Sequence, residues 1–318
     1  MHRTTANRLS LLFTSAVLVW SAAWAADQNS PVEFGPRWKV GQRLSYALST
    51  VQDQKITSAM SPQPMDQSSR QTQAYAVTVE KEREGGGHEL AVEFTGLSVE
   101  SSLNGNTIVQ FDSKSDPKDD AGNQAAAIMR PIANAKFRIL TRANGKVDAV
   151  QGLKELLAKV SSSGNPMLAA AMESIVSEDA VKQMGIVPNW FPGKPVKPGD
   201  QWPVRYEVAA GLLGKIAVSQ TLTFKGWEEK QGRRCVLIET KGYLSSSPTS
   251  GTTTNLISIS SLSGDTKGRL WYDPELGALV ESNEAQNMRM KMKAMGQEAS
   301  AQMTQSVTNT LKEVAVAK

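Results

Sequence analysis

Histidine and cysteine are nearly absent. Among 318 residues there are two histidines, His2 and His88, and one cysteine, Cys235. A single thiol closes no internal disulfide. One histidine and one cysteine do not furnish the usual zinc site. Cys235 lies in the apolar, β-branched run RRCVLIET, which suits a small buried hydrophobe better than a nucleophile. His88 follows three glycines at a hairpin tip, a poor support for a rigid base, so a Ser–His–acid arrangement has little to build on. No G-x-S-x-G elbow, phosphate-binding loop or dinucleotide fingerprint occurs. Carboxylate pairs stay formally open, with Glu33, Glu93, Glu239 and Glu281 as candidates. Glu93 and Glu239 alternate with apolar neighbours and should face solvent. The acids of DSKSDPKDDAGN at 112–123 lack the alternation of an EF-hand and carry two lysines among them, which reads as a solvated turn. No catalytic residue, metal ligand or cofactor is expected.

A charge excess is missing too. Residues 1–25 read as a cleaved signal peptide: the basic MHRTTANR, the apolar LSLLFTSAVLVW, then SAAWAAD with Ala23 and Ala25 as small residues at the cut. The apolar stretch falls short of the roughly 20 residues of a bilayer span, and no cysteine follows it to take a lipid. Without Arg3 and Arg8 the chain holds 33 basic and 31 acidic residues, no footprint for nucleic acid. No second apolar stretch is long enough to cross a membrane. The expected protein is therefore exported, periplasmic or secreted, neither a lipoprotein nor an integral membrane protein. Aromatics are 6% of the chain. Trp38, Trp190, Trp202, Trp227 and Trp271 read as strand or turn anchors rather than a sugar platform.

What is present is repetition. WKVGQRL at 38–44 returns as VKPGDQW at 196–202. Each copy precedes two alternating runs around a glycine-containing turn: Val77, Val79, then Leu90, Val92 and Phe94; and Leu222, Phe224, then Val236 and Ile238. Period-two alternation around such a turn marks a hairpin. A further hairpin follows each, turning at Gly145 in one and Gly277 in the other. Three landmarks in one order point to an internal duplication. The polar stretches 52–70 and 245–265 are loops or long hairpin arms.

Between the halves lies the one convincing helical pattern. Leu153, Leu156, Leu157 and Val160 share a helix face. Asn165 and Pro166 can start a second helix, striped by Leu168, Met172 and Ile175. A third, short helix runs from Ser177 to a stop at Gly185. Such amphipathic helices need an apolar surface to cover, and the sheets supply one.

NMRMKMKAM alternates strictly, with Met288, Met290 and Met292 opposed to Arg289, Lys291 and Lys293. Only a strand puts all three methionines on one side. Burying a methionine is worth roughly 1.5–3 kcal/mol, so they should face the interior, either as core filling or as an adaptable lining for a greasy ligand. Residues 302–314 read as the return strand.

FDS at 111–113, AAAIMRPI, FRILTRANGKVDAVQGL and PVKPGDQW resemble a family of exported bacterial proteins of unknown function. Its members share an Asp-Ser step, a Gly-Lys-Val turn and a Pro-Gly-Asp-x-Trp step. The resemblance spans about residues 37–295 and implies no activity. The run PTSGTTTNLISISSLSGDT is longer than the family's usual connection there.

The expected fold is α+β and β-dominated: two repeated antiparallel curved-sheet units, 37–150 and 188–318, with a helical segment at 151–187. The units form one compact domain, possible as an open barrel, after a linker at 26–36. The expected function is non-enzymatic binding of a lipid or lipophilic ligand, lined by Met288, Met290, Met292, Leu156, Leu168 and Met172. The alternative is a structural or partner-binding envelope module with a filled core.

Overall fold

The computed structural model describes residues 29–58, 61–120, 123–153, 155, 158, 190–209, 215–246, 257–294 and 297–316. The leader at 1–25 lies outside these residues, as do Leu156, Leu168, Met172 and nearly all of the helical segment. Of that segment, residues 153, 155 and 158 are helical and Leu153 is buried.

Twelve strands form one curved antiparallel sheet that does not close. In chain order they are β1 (Gln42–Ser58), β2 (Ser61–Glu82), β3 (His88–Leu103), β4 (Asn106–Asp112), β5 (Lys136–Thr141), β6 (Val147–Gln151), β7 (Gln201–Ala209), β8 (Lys215–Lys230), β9 (Arg233–Ser246), β10 (Ile257–Asp273), β11 (Ala278–Ala294) and β12 (Gln297–Val316). They lie side by side as β6-β5-β3-β2-β1-β12-β11-β10-β9-β8-β7, with β4 paired to the far end of β3. The arrangement β6-β5-β3-β2-β1 thus recurs as β11-β10-β9-β8-β7, and β12 is the seam between the two copies.

The repeat extends to backbone detail. Gly41 and Gly199 take φ of 83° and 93°, a conformation open mainly to glycine. In each copy the residue two before it accepts from the residue after it: Gln42 N–H donates to Lys39 O at 2.9 Å, and Asp200 N–H to Lys197 O at 3.0 Å. The side chains return the bond, Lys39 N–H donating to Gln42 Oε1 and Lys197 N–H to Asp200 Oδ2, both at 2.9 Å. Each glycine N–H then latches onto the second strand of its copy, Gly41 onto Val79 O at 2.8 Å and Gly199 onto Phe224 O at 2.7 Å. A register shift follows each latch, at Val79/Lys81 and at Phe224/Gly226. The later hairpins also match, with shifts at Leu140/Thr141 and Trp271/Tyr272 beside Gly145 and Gly277, both at positive φ. WKVGQRL and VKPGDQW are therefore one turn written twice.

The stretches 52–70 and 257–265 are hairpin arms: β1 pairs with β2 from Arg43↔Thr78 out to Ser58↔Ser61, and β10 pairs with β11 from Ile257 onward. Residues 247–256 lie outside the described set.

The helix-like run AAAIMRPI lies in α1, Gln124–Ala133, packed against β3 and β4. Asn123 caps it, its Oδ1 accepting from Ala125 N–H and Ala126 N–H at 3.0 and 3.3 Å. Pro131 lies inside the helix, where proline removes one intrahelical donor. Residues 29–36, within the expected linker, are packed instead. Val32 forms a bridge with Val196. Phe34 stacks on Tyr272 at 5.0 Å, and the Tyr272 hydroxyl donates to Gly35 O at 2.7 Å. Trp190 and Phe191 join the same aromatic cluster.

Candidate functional site

Because side chains alternate along a strand, the pairing register divides the sheet into rows on each face. On the inner face one row reads Gln220, Gly242, Thr266, Gln286, Gln305, Gln52, Ser69, Ser101 from β8 to β3. It is a polar belt. To one side the next row carries Leu222, Thr240, Glu284 and Val307, and the one beyond it Phe224, Ile238, Leu270, Ser282, Asn309 and Leu48. On the other side lie Val218, Leu244, Met288 and Met303, then Leu262, Met290, Ala301 and Ile56.

The belt separates two apolar clusters. Val196, Trp202, Leu222, Phe224, Val236 and Ile238 form one. Val218, Leu244, Leu262, Met288, Met290, Ala301 and Met303 form the other, with Met292 packed against it. Arg289, Lys291 and Lys293 are exposed on the opposite face. The three methionines therefore stand on the inner face, Met288 and Met290 buried and Met292 half-buried.

Glycines shape this face. A Cβ on Gly242 would come within 2.2 Å of Ser219 O, and one on Gly264 within 2.3 Å of Asn287 O. Glycine in a strand marks a tight bend or a close approach, and here it lets β9 and β10 curl over the belt.

At the centre is Glu284. Its Oε1 accepts from the Thr266 hydroxyl at 2.5 Å, from Gln220 Nε2 at 3.0 Å and from Gln286 Nε2 at 3.1 Å. None of these partners is a cation. Across the five rows between Phe224 and Ile216 of β8, Glu284 is the one charged side chain among the described residues. Burial, and then the charge of Glu284, push the Tyr206 phenol above its usual range. Beside Glu284 a cavity of about 210 Å³ is walled by Leu48, Val204, Leu222, Leu270, Leu279, Val307 and Trp190. Its polar lining includes Gln220, Thr240, Ser282, Glu284 and Asn309. Thr240 Oγ1 and Asn309 Oδ1 are buried without a hydrogen-bond partner, although buried polar atoms are nearly always paired. Asn309 uses its Nδ2 to donate to the Tyr75 hydroxyl at 2.9 Å.

Alternation alone could have found Glu284. ESNEAQNMRM puts Ser282, Glu284 and Gln286 in phase with Met288, so a strand facing its methionines inward must face Glu284 inward as well. Thr240, Thr266 and Asn309 needed the register between distant strands and carry no local signal.

The other candidates resolve into structural roles. Glu93 sits on the outer face between Lys136 at 2.7 Å and Arg43 at 3.2 Å, and the Lys136 hydrogen bond foremost holds it below the usual carboxylate range. Glu239 lies between Lys225 and Arg269, Glu281 meets Lys230, and Glu33 meets Arg37. His88 is held more firmly than a hairpin tip implies. It opens β3, its ring packs on Trp38 at 5.6 Å, and its backbone N–H donates to Thr141 Oγ1 at 3.0 Å. Asp112 and Asp116 accept from the backbone of Lys114 and Lys118, and Asp120 pairs with Arg130. No acidic, histidine or cysteine cluster among the described residues could hold a metal.

Cys235 is buried, and its thiol is pushed up to about 12, by burial first and the nearby Asp273 charge second. A thiol reagent at pH 8 should label the native protein at least about a hundredfold more slowly than the urea-unfolded chain, since the thiolate is the reactive form. Equal rates in the two states would contradict this burial.

Comparison with known proteins adds the following. A family model described as a family of unknown function (DUF6263) matches residues 85–279. No curated protein matches the chain. Among solved structures, lipovitellin, described for its lipid–protein interactions, aligns over 89% of this chain at 7% identity with a TM-score of 0.43. The alignment covers 26% of lipovitellin's length, so this chain spans about a quarter of it. A protein from Bacteroides fragilis described as exported, with a YmcC-like fold, aligns over 89% of this chain and 99% of its own, at 11% identity and a TM-score of 0.30. One from Parabacteroides distasonis described as a lipoprotein aligns over 90% and 100%, at 14% identity and 0.25. With TM-scores below 0.5, these likenesses carry no functional argument.

Proposed function

The chain belongs to the DUF6263 family of unknown function, which assigns it no activity, and we propose that it is an exported, non-enzymatic binding protein for an amphiphile. The observation that carries this reading is the layout of the inner face. Beside a polar belt lies a cavity lined by buried, unpartnered hydrogen-bonding atoms, and apolar rows flank the belt on both sides. A head group belongs at the belt and a tail along the methionine rows. The cavity, at about 210 Å³, is smaller than the roughly 300–1,000 Å³ of drug-sized pockets, which suits a head group rather than a whole ligand. Met288, Met290 and Met303 are unbranched and polarizable, so they can repack around a chain. The described residues contain no helix long and apolar enough to cross a membrane.

One observation favours the second reading, a structural or partner-binding envelope module. Met290 is already 2% exposed and Met303 8%, so the apolar end is filled in the free protein. Organic extraction of the purified full chain followed by mass spectrometry separates the two readings. The binding reading expects one class of amphiphile at close to one per chain. No amphiphile after extraction, together with no uptake of added single-chain amphiphiles, leaves the filled-core module standing.

A further inference from the structure

We infer that the ligand of this face presents a protonated amine, and that Glu284 selects it. The inference rests on the binding reading above and names its chemical class. The four carboxylates singled out in the sequence each find a cation: Glu33 has Arg37, Glu93 has Lys136 and Arg43, Glu239 has Lys225 and Arg269, and Glu281 has Lys230. Glu284 has three neutral donors, all on Oε1. Glu284 is half-buried, and a carboxylate partly withdrawn from water gains from a counter-ion that its neutral partners do not supply.

The neighbouring groups point the same way. Asn309 Oδ1 is an acceptor and Thr240 Oγ1 can act as one. Both are buried and unpartnered, and both line the cavity that Glu284 lines. An ammonium group donates to Glu284, and these oxygens are further acceptors along the wall of the same cavity. A carboxylate or phosphate head meets the opposite situation. The five inner rows hold no lysine or arginine to receive it, and Glu284 repels it. Nor is the cavity a general surface site for small hydrated cations, because Leu222, Leu270 and Val307 form its walls, and the methionine rows beyond the belt reward an attached apolar chain.

Isothermal titration of the full chain tests this with simple probes below their micelle concentrations. Dodecylammonium should bind at least about tenfold tighter than dodecanoate, a difference of about 1.4 kcal/mol, despite the protein's small net positive charge. Butylammonium, which keeps the charge and loses the tail, should bind at least about a hundredfold more weakly than dodecylammonium. Glu284→Gln should abolish the preference over dodecanoate. A folded Glu284→Gln protein that keeps the preference overturns the assignment and leaves amphiphile binding intact. A comparison on the unmodified protein needs no variant: dodecyltrimethylammonium has the charge without N–H donors, and equal affinity for it overturns the role given to Asn309 and Thr240. If no dodecyl probe binds at all, it is the binding reading itself that fails.

Discussion

Replacing Phe224 with alanine should destabilise the protein by about 3–5 kcal/mol, the usual cost of deleting a fully buried phenylalanine ring. Phe224 has no exposure and lies in the cluster that joins Trp202, Leu222, Val236 and Ile238, with Trp227 edge-on at 6.1 Å. Its backbone would keep its place, since Gly199 N–H donates to its carbonyl and its own N–H donates to Asp200 O. A backbone pinned at both groups cannot easily sink into the space the ring vacates, so the cavity term should be close to its maximum. The duplication supplies an internal control. Val79 occupies the same place in the first copy, latched by Gly41 and 1% exposed. Val79→Ala removes two methyl groups and should cost about 2 kcal/mol. Tyr243, on the outer face and 75% exposed, should tolerate alanine within about 0.5 kcal/mol. Urea unfolding of the three variants measures the ranking, and a Val79→Ala cost equal to or above that of Phe224→Ala would break the equivalence of the two latches.

The second large effect concerns the matched turns at Gly145 and Gly277. Gly277 has φ of 65°, and a Cβ there would lie 2.1 Å from the backbone nitrogen of Arg37. Gly145 has φ of 77°, but its Cβ would meet side chains and no main chain: Pro36 Cδ at 3.3 Å, Pro36 Cγ at 3.6 Å and Phe191 Cε2 at 3.7 Å. Valine at Gly145 should therefore incur mainly the backbone penalty of a left-handed branched residue, about 1–3 kcal/mol. Valine at Gly277 adds a collision with main chain that no rotamer relieves, and should cost about 3 kcal/mol or more in total. Because the collision is with the 29–40 segment, Gly277→Val should also loosen that segment from Tyr272. Trypsin cleavage after Arg37 should quicken at least about tenfold in Gly277→Val and much less in Gly145→Val. Equal cleavage in both variants would show that Gly277 does not hold the segment.

Much of this architecture can be read from the residues because it is local. The Lys-x-Gly-[Gln/Asp] turn makes its bonds within four residues, so the same letters rebuild it at 39–42 and at 197–200. The methionine alternation at 288–292 specifies a strand and its facing by itself. What escapes is set by partners far along the chain. The belt exists because Gln220, Thr266, Gln286, Gln305, Gln52 and Ser69 fall in one register row across six strands, and no window of sequence holds two neighbours of that row from different strands. Helix α1 shows in sequence as the helix-like run AAAIMRPI, although Pro131 shortens its pattern and its packing on β3 and β4 needs the fold. The inner location of Glu284 lies between these cases, open to anyone who extends the methionine phase four residues backward.

The seam strand has a consequence for how the molecule is made. β12 pairs with β11 as its neighbour in sequence, and with β1 from Gln42↔Val316 to Ser58↔Ala299, contacts between the distant extremes of the described chain. Until residues 297–316 are supplied, β1 and β11 are both raw edges, the kind that recruit foreign strands. Pairings of such long sequence separation form slowly, so assembly should wait on the final strand. A chain cut short before it should aggregate rather than fold into half a protein.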